Sequence, residues 1–435
     1  MDDKNLKIDV DITNSDDKDG ASSSHSESSH SSNHHHHHNH SSKHRHHHSS
    51  RRKRKNKDKK NETKLVLILC ASLFVVFLVA FISIESTKLH FSNNNVNSNE
   101  PTVQLLTVEE VNAEGVLVKN AVNKYVLTDL LSSYNSAVLP SDFSNEEGRL
   151  DMQVPVSLKL AVKNGISAFY KIELSTNSNF ENATVSYIEA SDTIFDFKHL
   201  CTNTQYYYRV TAYTEKGVDV ETGDFKTADT PRILSIDGLT NVRDIGNWRT
   251  DSGKRIKQGL LIRGTEMDAA VESGYHLTNK GLDDMINVFG IKTDMDLRSQ
   301  TATCMDALGS RVEHRYYNMV MYDAIFTEAG KEKIRMVFSD LANPDNYPVY
   351  LHCTYGCDRT GTVCYLLEAL LGVSMGDCLK DYGLSNLNIQ NIKMVENGLN
   401  SFEGDTLKEK TEAYLLSCGV SEYQIESIRK IFLGD

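Results

Sequence analysis

The sequence predicts an α/β domain, with a central mostly parallel sheet flanked by helices, preceded by an N-terminal β-sandwich and one transmembrane helix. Three observations predict it. Strand-like and helix-like runs alternate through residues 231–435, the pattern of a sheet covered by helices on both faces. Runs that alternate apolar and polar residues, separated by Asn, Ser and Gly, fill much of residues 140–228, as short strands of a sandwich do. Leu65–Ile84 is twenty residues without a charge, which at helical rise spans a hydrocarbon core of about 30 Å.

From the N-terminus, residues 1–64 are low in complexity, rich in Ser, His, Asn and Asp, and almost free of large apolar side chains. Such a segment cannot bury enough surface to offset its ordering entropy, so a disordered tail is expected. Its histidines from His34 to His48 leave metal binding, pH response and compositional drift open. The tail carries 14 Lys/Arg against 10 Asp/Glu, with the excess in Arg51–Lys60, immediately before the apolar span. Positive-inside logic therefore puts the N-terminus in the cytoplasm and residues 85–435 in a lumenal or extracellular space, with one helix in the lipid bilayer. Residues 85–139 are left as a stalk without an assigned element. The chain as a whole has a formal net charge of −12, which argues against nucleic acid as a partner.

In the sandwich region, Val154–Val162, Phe169–Ser175 and Tyr206–Tyr213 read as strands. Leu200-Cys-Thr-Asn-Thr-Gln-Tyr206-Tyr-Tyr208-Arg-Val210 and Gly223-Asp-Phe225-Lys-Thr-Ala228 resemble the corner and closing strand of a fibronectin type III domain. The resemblance implies that the Tyr206 hydroxyl ties back to the corner backbone. Asn182-Ala-Thr184 is a sequon, usable for glycosylation only if this domain is lumenal or extracellular.

In the last domain, Gly259–Arg263, Ile291–Arg298, Val312–Asn318 and Tyr347–His352 read as strands, and Thr278–Phe289, Glu328–Leu341 and a run from Thr360 to Leu371 as helices. Between the last strand and helix lies His352-Cys353-Thr354-Tyr355-Gly356-Cys357-Asp358-Arg359-Thr360-Gly361. A tight loop from a strand end to a helix N-terminus aims backbone N–H groups inward and cradles a phosphate dianion. Cys353, at the floor of such a cup, is favoured as thiolate and nucleophile. Arg359 offers a planar fork of donors that matches phosphate oxygens in pairs. Thr354, Tyr355, Gly356, Cys357, Asp358 and Arg359 are the expected substrate-binding residues. No metal-ligand spacing is found in this domain, and no cofactor is expected.

Asn241-Val-Arg243-Asp244-Ile-Gly246, Gly259-Leu-Leu-Ile-Arg263, Asp296-Leu-Arg298-Ser, Asp381-Tyr-Gly-Leu-Ser-Asn386 and Gly419-Val-Ser-Glu-Tyr-Gln424 accompany the loop. Together they resemble the tyrosine/serine protein phosphatase family, over nearly all of residues 231–435. The resemblance implies a cysteine-dependent phosphatase fold and hydrolysis through a phosphocysteine on Cys353. It assigns Asp358 as general acid, with Asp323 as the alternative. Thr360 is expected to hydrogen-bond the leaving thiolate, and His352 to organise the loop. Arg243, Asp244, Asp296 and Arg298 are expected to brace the loop by ion pairs. Cys357 stands where the family usually has Lys, which weakens a phosphoinositide substrate. It also puts a second sulfur four residues from the nucleophile, in position to form a reversible disulfide. The expected activity is hydrolysis of a phosphorylated protein or a small phosphomonoester. The alternatives are a phosphoinositide phosphatase and a non-catalytic adhesion or receptor protein that only binds phosphate.

Overall fold

The structure is a computed structural model and describes residues 106–129, 138–145, 149–162, 168–189, 193–268, 274–298, 307–387 and 389–434. The tail 1–64, the apolar span 65–84 and the stretch 85–105 lie outside the described residues. Among the described residues no helix is long and apolar enough to cross a membrane.

Seven strands form two antiparallel sheets. One holds β1 (Leu106–Val111), β2 (Val156–Val162) and β5 (Ile194–Phe197), in the order β1-β2-β5. The other holds β3 (Ala168–Ser175), β4 (Thr184–Ile188), β6 (Gln205–Thr214) and β7 (Gly217–Lys226), in the order β4-β3-β6-β7. Period-2 alternation sends Leu106, Val156, Leu158 and Leu160 of the first sheet and Tyr170, Ile172, Tyr208 and Val210 of the second into one buried cluster. The Tyr206 hydroxyl accepts a hydrogen bond from Cys201 N at 2.9 Å, which closes the turn ahead of β6. On the outer face, Arg209 binds Glu173 through two bonds of 2.6 and 2.8 Å. Arg209 holds the Glu173 carboxyl down at about 2, with help from Lys171 and against the effect of burial.

Two boundaries differ from expectation. β1 falls inside the stretch left as stalk, and it pairs with β2 along its whole length, Leu106 opposite Val162 and Val111 opposite Ser157. Its exposed residues are Thr107, Glu109 and Val111 and Glu110 is half-buried, so apolar and polar residues do not alternate cleanly and the pattern is faint. Residues 140–145 and 149–150, expected in the sandwich, pack elsewhere. With α1 (Asn120–Val126) they lie against the core of the following domain, through Val122, Tyr125, Phe143 and Leu150.

That domain has one six-stranded sheet in the order β12-β11-β13-β10-β9-β8. Its strands are β8 (Arg232–Ile233), β9 (Arg243–Asp244), β10 (Leu261–Gly264), β11 (Thr293–Asp296), β12 (Glu313–Tyr316) and β13 (Val349–His352). The four from β12 to β10 are parallel, and the two short strands β9 and β8 are antiparallel. Val349 and Leu351 of β13 enter one apolar cluster, while Tyr350 between them enters another. Both faces of the sheet are therefore covered, as a parallel sheet requires.

The helices are α2 (Asn279–Asp283), α3 (Glu328–Leu341), α4 (Asp358–Leu370), α5 (Met375–Gly383), α6 (Lys393–Leu399), α7 (Leu407–Ser417) and α8 (Glu422–Leu433). From Thr360 to its C-terminal end every residue of α4 is buried. The helix expected over Thr278–Phe289 keeps one α-helical stretch, capped by Thr278, and then widens into a π turn at Asp284–Val288. Met285 is buried as expected, while Leu282 and Ile286 are only partly so.

The two domains are joined by buried polar contacts. Arg232 donates to Asp244 at 2.7 Å, to the His199 carbonyl at 2.7 Å and to the Leu200 carbonyl at 3.1 Å. Gln258 accepts from Thr202 N and donates to the Thr202 carbonyl, both at 2.9 Å. Replacing Arg232 by Ala leaves the buried Asp244 carboxylate without its cation and two carbonyls without donors. The expected cost is about 3 kcal/mol, because Asp244 keeps backbone donors. Denaturant unfolding of the wild type and R232A measures it, and an unchanged midpoint would show that the junction does not depend on this pair.

Candidate active site

The loop from Cys353 to Arg359 leaves β13 and enters α4, whose N-cap is Cys357. Cys353 is buried, with 3% of its surface exposed. Gly356 makes the turn at φ +66°, and a Cβ there would lie 2.3 Å from the Gly264 carbonyl oxygen. Only glycine satisfies both the left-handed backbone and this close approach.

The loop's shape depends on a buried ionic network below it. Asp381 on α5 receives Arg243 Nε at 3.0 Å and Arg263 Nη1 at 2.7 Å. Arg263 is fully buried and turns its other nitrogen, Nη2, to the Gly356 carbonyl at 2.9 Å. Arg243 donates to Asn241 Oδ1 at 2.7 Å, and Asn241 Nδ2 donates to the Tyr355 carbonyl at 3.1 Å. Two loop carbonyls are thus drawn outward, which frees the intervening amides to face the cup. Burial by itself would raise Asp381, but Arg243 and Arg263 outweigh it and hold the carboxyl below its ordinary range.

A second brace lies under Cys353. His352 Nε2 is 3.0 Å from Asp294 Oδ1, and its Nδ1 lies 3.2 Å from the Cys353 carbonyl. His314 Nδ1 contacts the other Asp294 oxygen at 2.8 Å. Burial pulls the His352 imidazole down, yet Asp294 and Asp296 carry it up to about 9. His352 therefore carries its proton at neutral pH.

A third cluster adjoins Thr354. Arg298 binds Asp296, Asp268 and Glu266 at 2.6, 2.6 and 3.1 Å, and the Glu266 amide donates to the Thr354 carbonyl at 3.1 Å. Arg243, Asp296 and Arg298 are thus beside the loop, as expected. Asp244 is not. It pairs with Arg232 and accepts from the Gly246 and Gly259 amides at 2.8 and 2.6 Å, so it ties the domain junction instead. It is adjacent to Arg243 on a strand, and side chains alternate in direction there.

Around the cup, Arg359 is half-buried and makes only long bonds, 3.4 Å to Thr354 Oγ1 and 3.5 Å to the Leu297 carbonyl. Among the described residues it has no carboxylate partner. Thr360 Oγ1 is buried without a hydrogen-bond partner in the structure. Asp358, in the first turn of α4, accepts from the Tyr322 hydroxyl, which also lies 3.0 Å from the Tyr382 hydroxyl. Asp323, next to Tyr322, is exposed. Asn182 is exposed in the turn between β3 and β4 of the other domain. The described cysteines 201, 353, 357, 364, 378 and 418 are all free thiols. Among the described residues no cluster of three or more His, Cys, Asp or Glu could hold a metal ion.

The residues missed in the sequence are mostly the buried partners. Arg263 and Asp381 stood in quoted motifs without a role, and Asp294, Glu266, Asp268 and Tyr322 were not singled out. An arginine at the end of an otherwise apolar strand was the available signal, because such a cation requires a buried carboxylate.

Residues 234–415 match the model of the Tyrosine phosphatase family. A Cupriavidus necator protein, H16_A0669, which carries a tyrosine-protein phosphatase name, is 28% identical over 173 residues, covering 35% of this chain and 63% of its own. The chain thus spans less than two thirds of that relative. The core catalytic domain of the PP-IP phosphatase SIW14 from S. cerevisiae, solved with citrate, is similar over 31% of this chain and 79% of its own, at 14% identity and a TM-score of 0.25. The family match and the relative's name support a phosphatase-type hydrolase.

The His352–Asp294 pair has a pH signature. The folded pKa of His352 lies above its ordinary value of about 6.5, so the pair's stabilisation is fully present below that pH and is lost as pH rises through about 9. Unfolding midpoints should fall across this window in the wild type and fall less in H352Q; parallel curves would remove His352 as the cause.

Proposed function

We propose that residues 231–435 hydrolyse phosphotyrosine or related phosphomonoesters through a phosphocysteine intermediate. The observation that carries this reading is the braced loop, in which a buried Cys353 and an Arg359 without a carboxylate partner among the described residues lie on one turn into a helix N-terminus. In the first step Cys353 sulfur attacks phosphorus in line, and the bond to the ester oxygen breaks. Arg359 and the loop amides hold the equatorial oxygens as charge redistributes. Asp358 gives its proton to the departing oxygen. In the second step the Asp358 carboxylate takes a proton from a water that attacks the phosphocysteine, the S–P bond breaks, and phosphate and the Cys353 thiolate are released. Thr360 Oγ1, which has no other partner, is available to stabilise that thiolate.

The charge distribution favours a single phosphate over a polyphosphorylated head group. Arg243 and Arg263 are held by Asp381, and Arg298 by three carboxylates. Cys357 supplies no cation. Arg359 is left to balance one dianion.

We further propose that the chain is anchored by Leu65–Ile84, with the N-terminus cytoplasmic and the catalytic domain lumenal or extracellular. The two-sheet region is then a fibronectin type III-like spacer, a reading supported by the Tyr206–Cys201 tie and the seven-strand arrangement. Asn182 is exposed and free to carry glycan in that orientation. Mass analysis of the protein from membranes of a glycosylating cell should find a glycosidase-sensitive Asn182. Phosphorylation of residues 85–435 by cytosolic kinases instead would contradict the orientation.

Kinetics on aryl phosphates test the chemistry. Cys353→Ser should abolish turnover, and a wild type no more active than that variant would leave only the phosphate-binding, non-catalytic reading. Asp358→Asn should lower kcat by about 10²-fold or more on esters with poor leaving groups and much less on activated ones. Asp323→Asn should leave both near the wild-type value. The reverse pattern would move the acid to Asp323.

A further inference from the structure

Tyr322–Phe326 forms a short 3₁₀ turn ahead of α3, and its first residue has φ +53°. A left-handed backbone is rare for a bulky side chain and persists only where neighbouring contacts hold it. Here they do. Ile325 is buried, and its carbonyl accepts from the Tyr414 hydroxyl at 2.9 Å. The Phe326 ring packs on Phe402 and Tyr414, with centroids 6.1 and 4.9 Å away. Thr327 then caps α3.

This strained residue carries its hydroxyl to Asp358 Oδ1. A phenol has one proton to give, and Asp358 receives it. The Tyr382 hydroxyl, 3.0 Å from that of Tyr322, is therefore the donor of their pair. Tyr382 lies on α5 beside Asp381 and is 1% exposed. Its ring rests on Gly361 of α4, where a Cβ would lie 2.8 Å from it. Burial, Asp358 and Tyr382 raise the Tyr322 phenol, and burial pushes Tyr382 up to about 12, so both keep their protons at neutral pH. Two elements outside the loop thus converge on one carboxylate oxygen. The other, Oδ2, makes no hydrogen bond among the described residues.

We propose that Tyr322 is a positioning residue for the general acid, holding Asp358 Oδ1 so that the acid's proton is confined to Oδ2. A proton on Oδ1 would meet the Tyr322 hydrogen, and Tyr382, donating from the other side, keeps Tyr322 from turning away. In the first step the Oδ2 proton passes to the departing ester oxygen as its bond to phosphorus breaks, and Tyr322 keeps its own. In the second step the same Oδ2 takes the proton of the attacking water. The inference rests on the phosphatase reading above and on Asp358 as its acid, and it adds a residue outside the loop to that reaction.

The test measures kcat on phenyl phosphate, a poor leaving group, and on 2,4-dinitrophenyl phosphate, an activated one, with the full-length protein. Tyr322→Phe, which keeps the ring and removes the donor, should lower kcat on phenyl phosphate by about tenfold and on the activated ester by less. Combined with Asp358→Asn it should add no further loss, because Tyr322 acts through that carboxyl. Tyr382→Phe should give a smaller loss of the same kind, also absent beside D358N, and carries the test if Y322F does not fold. Equal losses on the two esters, no loss on phenyl phosphate, or a further loss in the D358N background overturns the positioning role while leaving the phosphatase reading intact. Failure of the wild type to exceed C353S on either ester overturns both.

Discussion

The architecture of the site depends on one buried carboxylate. Asp381 holds Arg243 and Arg263 together, and through them it fixes the Gly356 carbonyl directly and the Tyr355 carbonyl by way of Asn241. A loop of this length can turn its amides inward only when its carbonyls are satisfied elsewhere. Removing Asp381 would leave two buried cations unpaired, a loss on the order of 3–5 kcal/mol. Nearby Glu368 is buried with neither carboxyl oxygen hydrogen-bonded, and burial together with Asp381 pushes it far above the ordinary carboxylate range.

Charge is divided in the same way across the catalytic domain. Arg243, Arg263, Arg298 and protonated His352 are structural cations, each tied to at least one buried carboxylate. They hold backbone in place and offer little to a ligand. Arg359 differs from these four, held by long bonds to neutral oxygens. This separation explains how a site rich in arginine remains suited to one dianion. It also connects to the junction, where Asp244 is used for tying Arg232 and the turn ahead of β6, so that the strand carrying Arg243 is anchored from both directions.

Much of the catalytic domain was legible in the sequence because local pattern and global position agree there. β13 and α4 were read to within two residues at each end, because an apolar run, a glycine at a left-handed turn and a helix with apolar residues at every face lie in direct succession. α3 was read at its exact bounds, since Thr327 caps it and its buried residues follow a helical period. The two-residue strands β8 and β9 are too short to show a period. β1 is half polar and isolated from its partner by more than forty residues, so nothing local marks it. The misreading of Asp244 has a simple source: a motif gives spacing along a strand, whereas the direction of each side chain depends on which face is covered. Arg263, Asp294, Glu266 and Asp268 escaped for the complementary reason that their partners are distant in sequence.

The central claim is that this loop turns over phosphate on Cys353. Rapid acid quench of the enzyme during steady-state hydrolysis of an aryl phosphate, followed by peptide mapping under conditions that preserve thiophosphate esters, tests it most directly. The account predicts phosphate on the sulfur of Cys353 and on no other residue. Sustained turnover with Cys353 unmodified, or with the phosphate on another side chain, would contradict it.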